Sequence, residues 1–159
     1  MRLPTRVRYA VRAVVELAGR GDRGPVPVKD LAEAQQIPPK YVKQLMNTLQ
    51  RKGIVNGHPG QGGGYTLGGN SKDVTVLDVY RAMGETLDLA PCIREETCCR
   101  RQPTCAVGNL WADLGEALEK HLGSVTINDL VLRGRTLTRK RSALPKPGVP
   151  AASRREGVQ

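Results

Sequence analysis

Cys92, Cys98, Cys99 and Cys105 fall within 14 residues, and the remainder of the 159-residue sequence contains no cysteine. Clustered thiols in a protein expected to be cytoplasmic point to metal or redox chemistry more than to structural disulfides. The spacing is Cys-x5-Cys-Cys-x5-Cys, without the Cys-x2–4-Cys knuckles that zinc favours. Two other chemistries suit it better. Thiolates from one flexible loop can hold an iron–sulfur cluster, and neighbouring thiols can trap one another's oxidation products. Arg94, Arg100 and Arg101 stand beside the sulfurs, where a cation favours the thiolate or offsets cluster charge; arginines there also serve plain solubility.

A second constellation lies upstream. Gln44 and Asn47 are three residues apart, hence on one face of a helix, with Lys40 and Lys43 beside them. Amide side chains read adenine edges, and lysine reaches guanine or phosphate. An ordinary amphipathic helix with a solvated polar face has the same composition, and the next segment of the chain favours the first of these. Ile54-Val55 reads as a short strand, Tyr65-Thr66-Leu67 as another, and the glycine-rich stretch Asn56–Gly64 between them as an extended hairpin tip, a wing. Glycine there permits positive φ and a close approach to phosphate. His58, Gly60 and Gln61 sit in that tip. A nucleotide phosphate loop is the competing reading, but no Lys-Ser/Thr follows the glycines and no helix begins after them.

The elements that must carry these residues are mostly helical. A helix capped by Thr5 is expected to run to Arg20, with Val7, Ala10, Val11, Val14, Leu17 and Ala18 on one face. A second is expected over about Lys29–Gln36. Ile37-Pro38-Pro39 breaks it, and Pro39 suits the first position of a third helix ending before Gly53. Val42, Leu45, Met46 and Leu49 form the inner stripe of that helix. Lys40, Lys43, Gln44, Asn47 and Arg51 form the outer one, so the pair reads as a helix-turn-helix. Thr75 caps a short helix over Val76–Met83, residues 84–104 read as irregular, and a long helix runs from Cys105 or Ala106 to about Leu122. Such a helix in so small a protein usually packs on another chain. Thr126 and Asp129 start a last helix ending near Leu132.

Charge sharpens the division. The net +10 splits into +7 over residues 1–67 (11 Lys/Arg, 4 Asp/Glu), −3 over 68–134 (7 and 10) and +6 over 135–159 (7 and 1). A basic head suggests a polyanion partner, against the plainer reading of a solubilising surface. The Pro- and Arg-rich tail has too little apolar area to offset its ordering entropy and reads as disordered. With no Phe, one Trp and four Tyr, a single-strand platform of stacked aromatics is not expected. No apolar run reaches the roughly 18 residues of a membrane span, and the opening residues predict no secretory leader. A thiol oxidoreductase or iron–sulfur carrier fits poorly, since no Cys-x2-Cys motif is present and neither His58 nor His121 has an evident nucleophile.

Met1-Arg2-Leu3, Arg8-Tyr9-Ala10, the helix from Pro38-Pro39-Lys40-Tyr41, the Gly62-Gly63-Gly64-Tyr65 wing and the cysteine loop running into Leu110-Trp111 together resemble the Rrf-two (IscR/NsrR-like) family over about residues 1–134. That resemblance implies a homodimeric winged helix-turn-helix transcription regulator, mainly α with a small β-hairpin, and not an enzyme. It implies a DNA-binding region over 1–84, a sensor loop over 85–104, a dimerisation helix and last helix over 105–134, and a basic tail over 135–159. The third helix would enter the major groove of double-stranded DNA with Lys40, Tyr41, Lys43, Gln44 and Asn47. The wing would follow with His58, Gly60 and Gln61, while Arg2, Tyr9 and Arg51 position phosphates. By the same resemblance Cys92, Cys98 and Cys105 would ligate an iron–sulfur cluster, of the 2Fe-2S rather than the 4Fe-4S type. Two departures leave the fourth ligand open: Gly108 stands where some members carry His, and Arg8 where others carry an acid. Cys99 is the local candidate, and a labile iron site open to solvent is the other. Lys43 replaces a Glu of one member, so that member's switching logic does not transfer. A metal-free thiol/disulfide switch on the same DNA-binding frame is the alternative.

Overall fold

The computed structural model describes residues 3–21, 23–94, 99, 101 and 104–143; Arg2, Cys98 and Arg100 lie outside the described residues. The first helix, α1 (Thr5–Arg20), buries Val7, Ala10, Ala13, Val14 and Leu17 at three- and four-residue intervals. Pro4, not the expected Thr5, is its N-cap: the Pro4 carbonyl accepts the N–H of Val7 at 3.1 Å and of Arg8 at 3.2 Å. Thr5 is already helical, and its hydroxyl accepts from the Arg8 guanidinium instead.

Helices α2 (Val28–Gln35) and α3 (Pro39–Arg51) pack on each other and on α1. Between them Gln36 adopts a left-handed conformation, φ 54°. Its N–H and that of Ile37 close on the Glu33 and Ala32 carbonyls, each at 3.1 Å, which ends α2 one residue before the expected boundary. Pro39 occupies the first turn of α3 as its fixed φ favours. Val42, Leu45, Met46 and Leu49 are buried as the inner stripe predicts, and they join Val14, Leu31 and Val55 in the core.

The wing pairs β1 (Val55–His58) with β2 (Gly64–Leu67), antiparallel, in the register Val55–Leu67, Asn56–Thr66, Gly57–Tyr65 and His58–Gly64. Both strands are longer than expected, so His58 is in a strand and not in the tip. Val26 adds an antiparallel bridge to Tyr65, which ties the link before α2 to the wing. The glycine run serves two purposes. Gly60 and Gly62 turn the chain with φ of 97° and 78°. Gly64 instead yields space: the Val26 carbonyl lies where a Cβ would be.

Thr75 and Asp78 form a reciprocal capping box at the start of α4 (Val76–Ala82). Within the stretch read as irregular, Pro91–Arg94 is one helical turn, α5. Helix α6 (Ala106–Gly123) packs on α4 and α5. Helix α7 (Ile127–Ala143) returns onto α1 and starts with the expected Thr126–Asp129 box. It does not stop near Leu132. Residues 135–143 continue it, and 144–159 lie outside the described residues. Among the described residues no helix is long and apolar enough to cross a membrane.

Candidate nucleic-acid interface and cysteine cleft

Burying Val42, Leu45, Met46 and Leu49 turns the opposite face of α3 outward, so Lys40, Lys43, Gln44, Asn47 and Arg51 are all exposed. Pro39–Arg51 carries three cations and no acid. Gln44, Asn47, Thr48, Gln50 and Arg51 line a shallow groove along this face. Its side chains are partly ordered by local bonds. The Thr48 hydroxyl donates to the Gln44 carbonyl at 3.1 Å and accepts from the Arg51 guanidinium at 3.3 Å.

Tyr41 and Tyr9 are half-buried and meet edge to face, with ring centroids 6.1 Å apart and planes at 88°. The Arg12 guanidinium lies 5.5 Å over the Tyr9 ring. Both rings therefore join α1 to α3 while staying partly open to solvent. On the wing, Gly60 and Gln61 are exposed at the tip. The His58 ring is held against the Thr66 hydroxyl across the strand pair at 2.9 Å. One contact has no counterpart in the expectations from sequence: the Tyr65 hydroxyl donates to the Asn47 carboxamide oxygen at 2.9 Å, joining the wing to the outer face of α3. A tyrosine directly after the Gly62-Gly63-Gly64 run is the available signal.

The cysteines gather elsewhere. Cys92 on α5, Cys99 in the following segment and Cys105 before α6 line one cleft of about 210 Å³, together with Ile93, Gly108, Asn109 and Ala112. All three cysteines are half-buried. Cys105 is the N-cap of α6, and its sulfur accepts the Gly108 N–H at 3.4 Å. Among the described residues no three metal-ligating side chains converge on one point; the sulfurs share walls of a cleft. Soft thiols on one opening, one of them bonded to a helix N–H, are a donor set that fits an iron–sulfur cluster. Gly108 adds no ligand and leaves the cleft open, since a Cβ there would meet only Cys105, at 3.6 Å. Asn109, which belongs to none of the sequence motifs, supplies a polar wall.

A further glycine of α6 permits a close approach beyond the cleft. The Leu87 carbonyl lies 2.9 Å from where a Cβ of Gly115 would sit, so the segment before Cys92 approaches the α6 backbone closely. The neighbouring face of α6 is uncovered: Val107, Leu110, Trp111 and Leu114, at helical spacing, are 57%, 56%, 39% and 41% exposed. Two ion pairs connect these parts to the head. Arg81 on α4 meets Glu119 on α6 at 2.9 Å, and Arg6 on α1 meets Glu85 at 2.6 Å.

The chain is 37% identical over 131 residues to the HTH-type transcriptional regulator IscR of Xenorhabdus nematophila, covering 82% of this chain and 79% of the relative. It is 36% identical over 131 residues to IscR of an Escherichia coli strain, covering 82% and 80%. Among solved structures it resembles CymR, the global cysteine regulator of B. subtilis, with TM-score 0.69, 26% identity and coverage of 84% and 98%. It also shares the fold of T. potens IscR, with TM-score 0.68, 24% identity and coverage of 92% and 94%. These relatives are regulators, not enzymes. Residues 3–133 match the Rrf2 family, described as iron-dependent transcriptional regulators, and the chain belongs to that family.

Proposed function

We propose that this Rrf2-family regulator acts in the cytoplasm as a homodimer on double-stranded operator DNA, as a repressor whose affinity follows the state of an iron–sulfur cluster held by its cysteines. The single observation that carries the sensing part is the shared cleft of Cys92, Cys99 and Cys105, with the Cys105 sulfur bonded to the first turn of α6. The iron-dependent description of the family supports the same reading.

α3 lies in the major groove, where Lys40, Lys43, Gln44 and Asn47 face base edges. Arg2, Tyr9, Tyr41 and Arg51 set the register on phosphates, and the wing residues His58, Gly60 and Gln61 reach the adjoining backbone or minor groove. The Val107–Leu114 face of α6 meets its copy in the partner, so two heads read a pseudo-palindrome. Cys92, Cys98 and Cys105 hold the cluster, with Cys99 as the further thiolate, because Gly108 offers no side chain. When bound, the cluster supplies a redox- and nitric-oxide-reactive centre of the 2Fe-2S type. The chain's own residues carry the response: Gly115 couples the loop to α6, and Arg81–Glu119 and Arg6–Glu85 couple α6 and the loop to the head. Coupling between two such sites typically amounts to about 1–3 kcal/mol.

Electrophoretic titration of the protein's own promoter, with anaerobically isolated and with iron-stripped protein, tests this. Affinities differing by roughly fivefold or more are expected; equal affinities reject the sensor. The shared cleft also suits a thiol/disulfide switch. An anaerobic protein without iron, sulfide or visible absorption, whose DNA affinity still responds to oxidant, would establish that second reading in its place.

A further inference from the structure

The contact between Tyr65 and Asn47 bears on which bases α3 selects. Tyr65 is only 7% exposed. Its backbone is held twice by Val26: its N–H donates to the Val26 carbonyl at 2.9 Å, and its carbonyl accepts the Val26 N–H at 2.8 Å. Gly57 lies opposite it in the register, and the Val26 carbonyl packs against Gly64 just before it. The phenol therefore cannot swing aside without opening the wing. Burial also pushes the Tyr65 hydroxyl above the usual phenol range, so it keeps its proton and its role as donor throughout the neutral range.

Asn47 is exposed on the groove-lining face of α3, and its carboxamide oxygen is the group that Tyr65 engages. A carboxamide has an accepting oxygen and a nitrogen that only donates. With the oxygen held toward the wing, the nitrogen is the atom left to meet a base. Reading adenine through both atoms needs an acceptor and a donor turned to the same edge. A donor alone finds two adjacent acceptors on guanine, O6 and N7, and one on thymine, O4, whereas adenine sets its single acceptor, N7, beside an N6 amino group that would meet no acceptor, and cytosine offers only a donor. Without the tyrosine hydroxyl the terminal torsion of asparagine is broad and two-fold, and either atom can face the groove.

We infer that Tyr65 is a positioning residue for base readout: it locks the Asn47 carboxamide so that this position of α3 selects a keto base, guanine or thymine, over adenine. This rests on the reading that α3 occupies the major groove, and the test separates the two.

Binding sites are enriched from a random duplex library with the full-length wild-type chain, Tyr65→Phe, Asn47→Ala and the double variant. Wild type is expected to enrich a keto base at one position per half-site. Tyr65→Phe is expected to reduce that preference about threefold to tenfold, the worth of one hydrogen bond, while other positions and the salt dependence of binding stay unchanged. Asn47→Ala should flatten the same position, and the double variant should add nothing. If Asn47→Ala flattens a position that Tyr65→Phe leaves intact, or Tyr65→Phe weakens all positions alike, the positioning role is overturned and the groove reading stands. If Asn47→Ala, Gln44→Ala and Lys43→Ala all leave the enriched sequence unchanged, the groove reading itself fails. Should Tyr65→Phe not fold, Asn47→Asp retains an oxygen for the tyrosine and replaces the outward donor with an acceptor. Preference should then move to an amino-bearing base, and a retained keto preference overturns the inference.

Discussion

Cys105 has two duties that a single substitution can separate. Its sulfur walls the cleft, and it also caps α6 by accepting the Gly108 N–H. Serine is a good N-cap but a poor ligand for iron in a sulfur-rich site. Cys105→Ser is therefore expected to leave the melting temperature within a few degrees while iron and acid-labile sulfide fall to background in anaerobic preparations. A collapse of stability together with the cofactor would mean that the sulfur is chiefly structural. Gly64 raises the opposite issue, because its role is steric. The Val26 carbonyl fills the space of a side chain, so Gly64→Ala must part the Val26–Tyr65 bridge or distort β2. A cost of about 2 kcal/mol or more is expected, read from the urea midpoint, whereas Gly69→Ala, with nothing nearby, should change little. Glycine in the wing is legible in the sequence as a turn signal. That two of the glycines turn the chain and another makes room for the link before α2 is not, because the neighbour comes from residue 26.

Helix boundaries follow local chemistry where the chemistry is self-contained. The Thr75–Asp78 and Thr126–Asp129 boxes form as their spacing indicates, each within four residues. At α7 the Thr126 backbone N–H and hydroxyl hold the Asp129 carboxyl below its ordinary range. A carboxyl depressed in the folded state stabilises the fold above its unfolded value, and that contribution is lost as pH falls through the folded one. Asp129→Asn is thus expected to lower stability at pH 7 and to narrow the difference in urea midpoint between pH 7 and pH 3. A variant that loses the same amount at both pH values would show that the charge plays no part. Helix α7 is longer than the sequence predicts, since composition after Arg133 is polar and Arg-rich. Ile127 and Val131, buried where α7 lies on α1, anchor its first two turns, and the helix propagates from there at low cost.

For the whole molecule, the charge division and the uncovered face of α6 point the same way. The basic head carries the exposed cations of α3, and Glu85 of the acidic middle pairs with Arg6 of the head, while Glu119 of α6 pairs with Arg81 of α4 inside that middle. Val107, Leu110, Trp111 and Leu114 form an apolar stripe of the kind that a soluble chain covers with a partner. Leu110→Glu places a charge in its centre. Light scattering is expected to change from a dimer to a single 17.3 kDa chain, with unchanged helix content. Affinity for a two-half-site operator should fall roughly a hundredfold or more, as the second head loses its high effective concentration. A Leu110→Glu protein that remains dimeric would place the interface elsewhere.

Reading the residues in order is enough to define the helices of the head, the inner stripe of α3, the wing and the cysteine-bearing segment. Each depends on periodicity, proline and glycine placement, or caps that close within a few positions. The family resemblance rests on the same local features. Three-dimensional packing is needed for what depends on residues far apart in sequence: Tyr65 reaching Asn47 across 18 positions, Val26 joining the wing, and Leu87 settling on Gly115. It also brings Cys92, Cys99 and Cys105 to one opening beside the uncovered face of α6. Spacing along a chain reports which faces are apolar; only the packing of those faces determines which polar groups they leave touching.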